Sequence, residues 1–400
     1  MSIFDLDIIK EVLKDKENAR QLLLKPERKI ILNLNVWLDE KTLVVTDGYV
    51  VYHNTARGPA KGGIRIDKNV TLEETVDLAE RMTLKTALTG IPFGGGKSGI
   101  RLDNLKLNSY TKRVILQEFV HMIRGDLVSG MYIPAPDLGT SPKEMAVIYG
   151  ELHIPECVTG KPLGIGGLPG RREATGRGVA FSTFYSVKNI LKSDIKKMKV
   201  AIQGFGNVGS WTAYFLSKLG AKVVSVSDIT GGIYNNKGLD IIKLMEHVSK
   251  SKPLLEFEGD KISNEELLTL NVDVLIPAAV ENVLTREVAL KVKAKIVVEG
   301  ANGPTTDEGD EVLKERGIPL VPDILANSGG VIASYIEWKS AKSGSMTSSE
   351  EVYEFIDGTI EKSFDKILKL AKTRKISYKE AALSLAVEEV ISAMENRGWI

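Results

Sequence analysis

Three lysines between residues 57 and 101 sit where an ammonium can meet a small anion. They are Lys61 in R-G-P-A-K-G-G-I-R, Lys85 in R-M-T-L-K-T-A and Lys97 in P-F-G-G-G-K-S-G-I. Gly62 and Gly63 follow Lys61, and glycines let another backbone or a ligand come close. Three glycines precede Lys97 and Gly99 lies two residues on, a loop that can set backbone amides and an ammonium against one anionic substrate. Lys85 has Leu78 and Met82 at i−7 and i−3, the apolar side of a helix, so it either snorkels or faces a polar cleft. Asp137 ends Y-I-P-A-P-D, its approach stiffened by two prolines. Alone, such an aspartate is a turn residue or a helix cap. Paired with a lysine, it can run proton transfers at a carbon that bears an amino group.

The run G-G-G-K-S invites a phosphate-loop reading, G-x-x-x-x-G-K-[ST]. The spacing rejects it, since the first glycine would have to stand at Ile91, and so does the preceding helix where a buried strand is required. A dinucleotide fingerprint is better founded. V-A-I-Q-G-F-G-N-V-G-S-W sets Gly204, Gly206 and Gly209 in G-x-G-x-x-G spacing, with Asn207 and Val208 opening the helix. An apolar strand precedes it and an acid, Asp228, ends the next strand, which is the context the motif needs. Gly204 permits the tight turn, Gly206 lets backbone approach the pyrophosphate, and Gly209 lets helix and strand pack closely. The helix N-terminus offers N–H donors and a positive dipole end to phosphate. Asp228 can accept hydrogen bonds from ribose hydroxyls; it favours NAD, with NADP possible.

The elements that position these residues can be read from periodicity. Residues 1–30 read as a helix, 30–37 alternate as a strand, and 42–46 with 49–53 flank Asp47-Gly48 as a tight hairpin. T-L-E-E at Thr71 matches a capping box and opens a helix that stops at Gly90. Another helix is expected over 109–124. Residues 159–177 are rich in glycine and proline and read as a linker or hinge. Beyond them, short apolar runs at 199–203, 222–227, 272–276, 295–299 and 320–321 alternate with helical patterns, as in a parallel sheet of Rossmann type. Residues 326–338, 349–372 and 378–395 look helical. The fold class is therefore α/β, an N-terminal α/β part with a mixed sheet followed by a Rossmann-type dinucleotide-binding part.

Composition narrows the function. Of 400 residues, 53 are basic and 52 acidic, which leaves +1 and no electrostatic footprint for nucleic acid. No apolar run is long enough to span a bilayer, and the first twenty residues carry no apolar signal core, so no membrane partner and a cytoplasmic setting are expected. One cysteine, Cys157, and four histidines without H-E-x-x-H spacing predict no metal site and no disulfide.

Taken together, G-P-A-K-G-G-I-R, P-F-G-G-G-K, I-P-A-P-D, V-T-G-K-P, A-T-G-R-G-V, Q-G-F-G-N-V-G-S, V-S-D-I-T-G-G, I-P-A-A-V-E-N, V-E-G-A-N-G-P-T and V-P-D-I-L-A-N-S-G-G-V-I-A-S-Y-I-E-W are ordered along nearly the whole chain. The chain resembles the glutamate dehydrogenase branch of the hexameric amino-acid dehydrogenases. That resemblance implies reversible NAD(P)-linked oxidative deamination of L-glutamate to 2-oxoglutarate and ammonia, in a homohexamer whose active site lies in the cleft of a two-domain subunit. It implies that Lys97 and Asp137 are catalytic and that Lys85 holds the α-carboxylate. Lys61 with Ser334 would hold the side-chain carboxylate, and Thr159 would lie near the substrate. Thr175 would bind the nicotinamide carboxamide, and Asn302 and Asn327 would line the nicotinamide end. It also implies a C-terminal helix returning to the first domain, which gives 1–165 with about 373–400 for substrate binding and oligomerisation and 166–372 for the dinucleotide. Ser98, beside Lys97, replaces a glycine common in the family, and Ala60 replaces a larger residue. Two other readings, a regulatory subunit without chemistry and a nucleotide-binding module without redox function, leave Lys97 with Asp137, or the whole lysine cluster, unexplained.

Overall fold

A computed structural model describes residues 3–102 and 108–400. The chain forms two units, Met1–Arg171 with Ala333–Val352 and Leu383–Ile400, and Arg172–Ile332 with Tyr353–Ala382. The C-terminal helix Tyr378–Asn396 does run back into the first unit, from Leu383 onward. Three features of the division differ from expectation. The first boundary falls at Arg171 rather than at residue 165, Ala333–Val352, expected in the second domain, groups with the first, and the C-terminal return begins at Leu383 rather than at about residue 373. The reason is that long helices carry the crossings. Phe93 packs edge-on against Tyr335 and Trp338 and ties that part of helix Gly329–Ser343 to the first unit. In helix Ser349–Arg374, Asp357 accepts from Arg177 at 2.9 Å and Asp365 from the Tyr185 hydroxyl at 2.5 Å, which ties it to the second.

The first unit is built on a mixed sheet of β1 (Arg28–Trp37), β2 (Leu43–Asn54), β3 (Ala60–Asp67), β4 (Gly94–Arg101) and β5 (Tyr132–Pro136), in the order β1-β2-β4-β3-β5. β2 runs antiparallel to β1 and β4, whereas β3 runs parallel to β4 and β5. Asp47-Gly48 is not a hairpin turn. It lies mid-strand, Asp47 opposite Asn33 and Gly48 opposite Leu32. Asp47 pairs with Arg101, and a side chain at Gly48 would press on Leu34 Cδ1 at 3.2 Å, so that glycine serves packing rather than a turn. The chain reverses at residues 38–42 instead, where Asp39 Oδ1 accepts from the amides of Lys41 and Thr42 at 2.8 and 2.9 Å. The single N-terminal helix expected is three pieces, Ile3–Asp5, Asp7–Val12 and Glu17–Leu23.

One face of this sheet is the core. Leu32, Leu34, Ile64, Ile66 and Ile100 are buried with Ile115 and Phe119 of helix Ser109–Met122 and with Met145 and Ile148 of helix Pro142–Leu152. Helix Leu72–Leu88 covers the other face so closely that a Cβ on Gly95 would collide with Thr83. Thr71 Oγ1 accepts from the Glu74 amide at 3.1 Å, a cap worth about 1 kcal/mol, and the chain turns out at Gly90 with φ +68. Cys157 is buried in this core, and burial pushes its thiol up to about 11.

The second unit holds a seven-stranded sheet. Its strands are β6 (Lys199–Gln203), β7 (Lys222–Asp228), β8 (Gly231–Tyr234), β9 (Asp260–Ile262), β10 (Val274–Pro277), β11 (Ile296–Val298) and β12 (Leu320–Val321), in the order β12-β11-β10-β6-β7-β8-β9. β12 to β7 are parallel, while β8 and β9 form an antiparallel edge. The strand order reverses between β6 and β10, the crevice where doubly wound sheets take ligands.

Candidate active site

Successive side chains of a strand point to opposite faces, so register decides which residues meet. Lys61 lies opposite Gly95 on β4 and Ile133 on β5, and Arg65 opposite Gly99. Counting in twos, Lys61, Gly63 and Arg65 on β3, Lys97 on β4 and Asp137 just past β5 share one face, the face covered by the helix that carries Lys85. Ile64, Ile66 and Ile100 take the core face. Sheet alternation thus collects the cations that the sequence scatters over forty residues. Lys97 is 5% exposed and its ammonium pairs with Asp137 Oδ2. Burial raises the proton affinity of Asp137, but Lys97 and Arg65 outweigh it and bring its carboxyl down to about 2. Gly63 makes this possible, because a Cβ there would sit 2.7 Å from Asp137 Cβ and 2.9 Å from Oδ2.

Lys61 is 1% exposed, and no carboxylate lies within ion-pair distance of it among the described residues. Burial lowers its pKa well below the usual lysine value, helped by the charges of Arg171, Lys97 and Lys161 and opposed by Glu337. Thr159 is fully buried; its amide donates to Pro134 O at 3.0 Å and its Oγ1 has no partner. Ser334 is buried on helix Gly329–Ser343, and Lys85 is half-buried on helix Leu72–Leu88. Ser98 does not stand beside the Lys97 ammonium. It faces the core side, where its hydroxyl bonds Tyr132 Oη at 2.7 Å, and Tyr132 donates on to Gly62 O at 3.3 Å. Ala60 is fully buried at the start of β3.

Four charged groups that sequence reasoning left unassigned belong to this region of the first unit: Arg65, Lys161, Arg171 and Glu337. Glu337 is 1% exposed; it accepts from Lys161 Nζ at 2.8 Å and from the amides of Gly160 and Lys161 at 2.8 and 3.2 Å. This locks the Thr159–Lys161 segment to the helix of Ser334, one turn away from Glu337. A sequence signal exists in Y-I-E-W, a lone acid one turn after Ser334 among apolar neighbours.

In the second unit, Gly204 has φ +94, and a side chain on it would meet Ala278 O at 2.9 Å across the β6–β10 crevice. A Cβ on Gly209 would collide with the Gly204 carbonyl oxygen, whereas one on Gly206 meets nothing. The helix Asn207–Lys218 begins at Gly206 without a side-chain cap, so its first amides are left for an anion. Gln203 Oε1, buried at the end of β6, has no partner. Open space at Gly206, uncapped amides and an orphaned acceptor fit a dinucleotide. Asn207 Nδ2 donates to Arg172 O at 2.9 Å, and Val208 follows in the first turn. Asp228 Oδ1 accepts from the amide and hydroxyl of Thr230 at 2.7 and 2.6 Å. Thr175 stands in the first turn of helix Ala174–Asn189, and Asn327 Nδ2 donates to Asn302 Oδ1 at 3.0 Å. We expect Gly209→Ala to destabilise the chain by roughly 1–3 kcal/mol through overpacking and to weaken dinucleotide binding. Thermal melting with and without cofactor checks this, and an unshifted melt would refute it.

Residues 166–398 match the family model described as Glutamate/Leucine/Phenylalanine/Valine dehydrogenase, and residues 26–153 match its dimerisation domain. The chain belongs to the Glu/Leu/Phe/Val dehydrogenase family. It is 43% identical over 391 residues to an NADP-specific glutamate dehydrogenase of Saccharolobus shibatae, covering 95% of this chain and 92% of the relative. It is 42% identical over 393 residues to a glutamate dehydrogenase of Thermotoga maritima, covering 96% and 94%. A crystal structure of glutamate dehydrogenase from Peptoniphilus asaccharolyticus superposes with TM-score 0.87 at 35% identity, over 98% of this chain and 97% of that one. A hetero-hexameric glutamate dehydrogenase from Thermus thermophilus, in a Leu-bound form, gives 0.89 at 32%, over 98% of each. As a Glu/Leu/Phe/Val dehydrogenase the chain is an NAD(P)-dependent amino-acid dehydrogenase. Among the described residues no helix is long and apolar enough to cross a membrane.

Proposed function

We propose that this dehydrogenase acts on L-glutamate, converting it with water and NAD(P)+ to 2-oxoglutarate, ammonium, NAD(P)H and a proton. The observation that carries the reading is the pairing of Lys97 with Asp137 on the same sheet face as Lys61, a buried ammonium with no carboxylate at hand. A buried cation without a partner costs several kcal/mol, and a substrate carboxylate offsets that cost. Lys61 with Ser334 binds the side-chain carboxylate, Lys85 the α-carboxylate, and the unpartnered Thr159 hydroxyl lies against the substrate. The cofactor, when bound, supplies the acceptor for the α-carbon hydride. Once the Lys97 ammonium has passed a proton to Asp137 Oδ2, its free amine orients a water and takes a proton from it as the water oxygen bonds to the iminium carbon, and Asp137 carries protons to and from the nitrogen. These residues contribute positioning and preorganised charge. The test is absorbance at 340 nm with glutamate and either cofactor; no reduction with either overturns the reading.

The cofactor would lie on Gly204, Gly206, Asn207, Val208 and Gly209, with Asp228 at the adenosine ribose and Thr175, Asn302 and Asn327 at the nicotinamide end. Asp228 repels a 2′-phosphate, and no basic residue follows it in D-I-T-G-G-I. We therefore expect kcat/KM to be higher with NAD than with NADP by at least about tenfold, since about 1.4 kcal/mol is a factor of ten and a like-charge contact costs that much or more. A relative named NADP-specific makes this worth measuring directly, and a clear NADP preference would contradict the role given to Asp228.

A homohexamer is the assembly we favour. β1 is an edge strand, and Ile31 and Trp37 on it, with Leu43 and Val45 beside it on β2, are exposed within the segment matched by the dimerisation model. Long edge strands with apolar exposure are completed by a second chain. A cytoplasmic setting suits a chain with one buried cysteine and no disulfide.

A further inference from the structure

Asp137 is held on three sides. Arg65 Nε donates to Oδ1 at 3.0 Å and the Leu138 amide donates to the same oxygen at 2.7 Å. Oδ2 faces the Lys97 ammonium. The Asp137 amide donates to Thr140 Oγ1 at 2.8 Å, and that hydroxyl donates to Ile64 O at 2.8 Å, so the backbone beneath the carboxylate is tied to β3. Arg65 is fixed in turn, because another arm of its guanidinium pairs with Glu74 in the first turn of helix Leu72–Leu88. Rotating the carboxylate would strip Oδ1 of two donors at once. The two oxygens are therefore not equivalent.

We infer that Arg65 is a positioning residue for the reaction: it occupies Oδ1 of Asp137 and leaves Oδ2 as the oxygen that exchanges protons with Lys97 and the substrate nitrogen. The inference rests on the catalytic role proposed for Asp137. In the step concerned, one proton leaves a nitrogen for Oδ2, whose lone pair forms the new O–H bond while the N–H electron pair stays on nitrogen. Asp137 becomes neutral and Arg65 keeps its charge. A fixed cation on Oδ1 disfavours that neutral acid, so the proton is passed on rather than kept. Arg65 thus makes Asp137 a transit point for protons and not a sink. A guanidinium suits this task, since its planar fork holds two carboxylates in set directions and never loses its proton.

Arg65→Gln removes the charge, and Arg65→Lys keeps the charge but not the fork. An opposite charge within a few ångströms moves a carboxyl by about one to three units. With Arg65→Gln we expect the acidic limb of the kcat profile to rise by about one pH unit or more and kcat to fall by at least about tenfold, with KM for glutamate changed far less. Arg65→Lys is expected to restore the limb but only part of kcat. Melting temperature and dinucleotide binding confirm that each variant is folded. A folded Arg65→Gln enzyme whose pH profile superposes on the parent's overturns the inference, as does a loss confined to KM. Asp137→Asn separates the two readings. If it keeps turnover, the role of Asp137 fails; if it is inactive while Arg65→Gln leaves the profile unmoved, only the role of Arg65 fails.

Discussion

Lys97→Ala is expected to lower turnover by at least about 10²-fold, the scale of losing a positioned acid–base group, while the dinucleotide still binds. The two halves of that expectation come from different units. The fingerprint glycines and Asp228 belong to the second unit and share no strand or helix with β4. Within the first unit the variant should stay folded, because Asp137 retains Arg65 and the Leu138 amide when its lysine is gone. The parent, by contrast, buries Lys97 against Asp137, a partner that can take its proton and free the amine for the base role proposed for it. Turnover at 340 nm, beside a binding titration with the oxidised cofactor, measures both quantities. Activity within a few-fold of the parent in a folded variant would remove Lys97 from the mechanism.

The double change Lys61→Leu with Ser334→Val should lose most activity on glutamate and gain some on leucine, valine and phenylalanine. In the parent, glutamate is expected to be preferred over those three by at least about 10³ in kcat/KM, the range seen when a site's buried polar groups are left unpaired. With the side-chain carboxylate bound at Lys61 as proposed, an apolar substrate would leave that lysine unpaired, whereas glutamate would pair it. Arg171, Lys97 and Lys161 all repel Lys61, so the pocket is short of negative charge before substrate arrives. Leucine at 61 removes the stranded charge, and valine at 334 replaces the hydroxyl with a methyl and adds a second one, which leaves that position wholly apolar. Full glutamate activity in the double variant would show that the side-chain carboxylate is bound elsewhere.

Much of the dinucleotide unit was legible because its signals are local. A strand of apolar residues, three glycines at fixed spacing and an acid at the next strand end can be read without tertiary knowledge, and residues 199–203 and 320–321 are strands as expected. β8 and β9 were not foreseen: G-G-I-Y and D-K-I are too short and too polar to show a pattern, and pairing at the sheet edge forms them. Asp47-Gly48 misled for a related reason. The dipeptide is a strong turn signal alone, yet pairing with Arg101 and packing on Leu34 hold it extended. At the candidate site, Lys61, Lys97 and Asp137 stood out by their glycine-rich or proline-rich surroundings, and Lys85 by its place on the apolar side of a helix. Arg65 and Glu337 did not, because their importance lies in what a sheet register and a helix turn bring to them. Asp137 accepts from Arg65 across 72 residues, and Glu337 meets Lys161 across 176.

The lone cysteine has a practical use. Cys157 lies in the core with its thiol pushed up to about 11, so at neutral pH it is protonated as well as sheltered and reacts poorly with alkylating dyes. Any cysteine added at the surface then becomes the one reactive thiol of the chain. Ile229 is 99% exposed and follows Asp228 directly. A dye carried by Ile229→Cys would report by fluorescence when a nucleotide settles against the acid, with no turnover needed, so the same signal can follow binding in the inactive Lys97→Ala background.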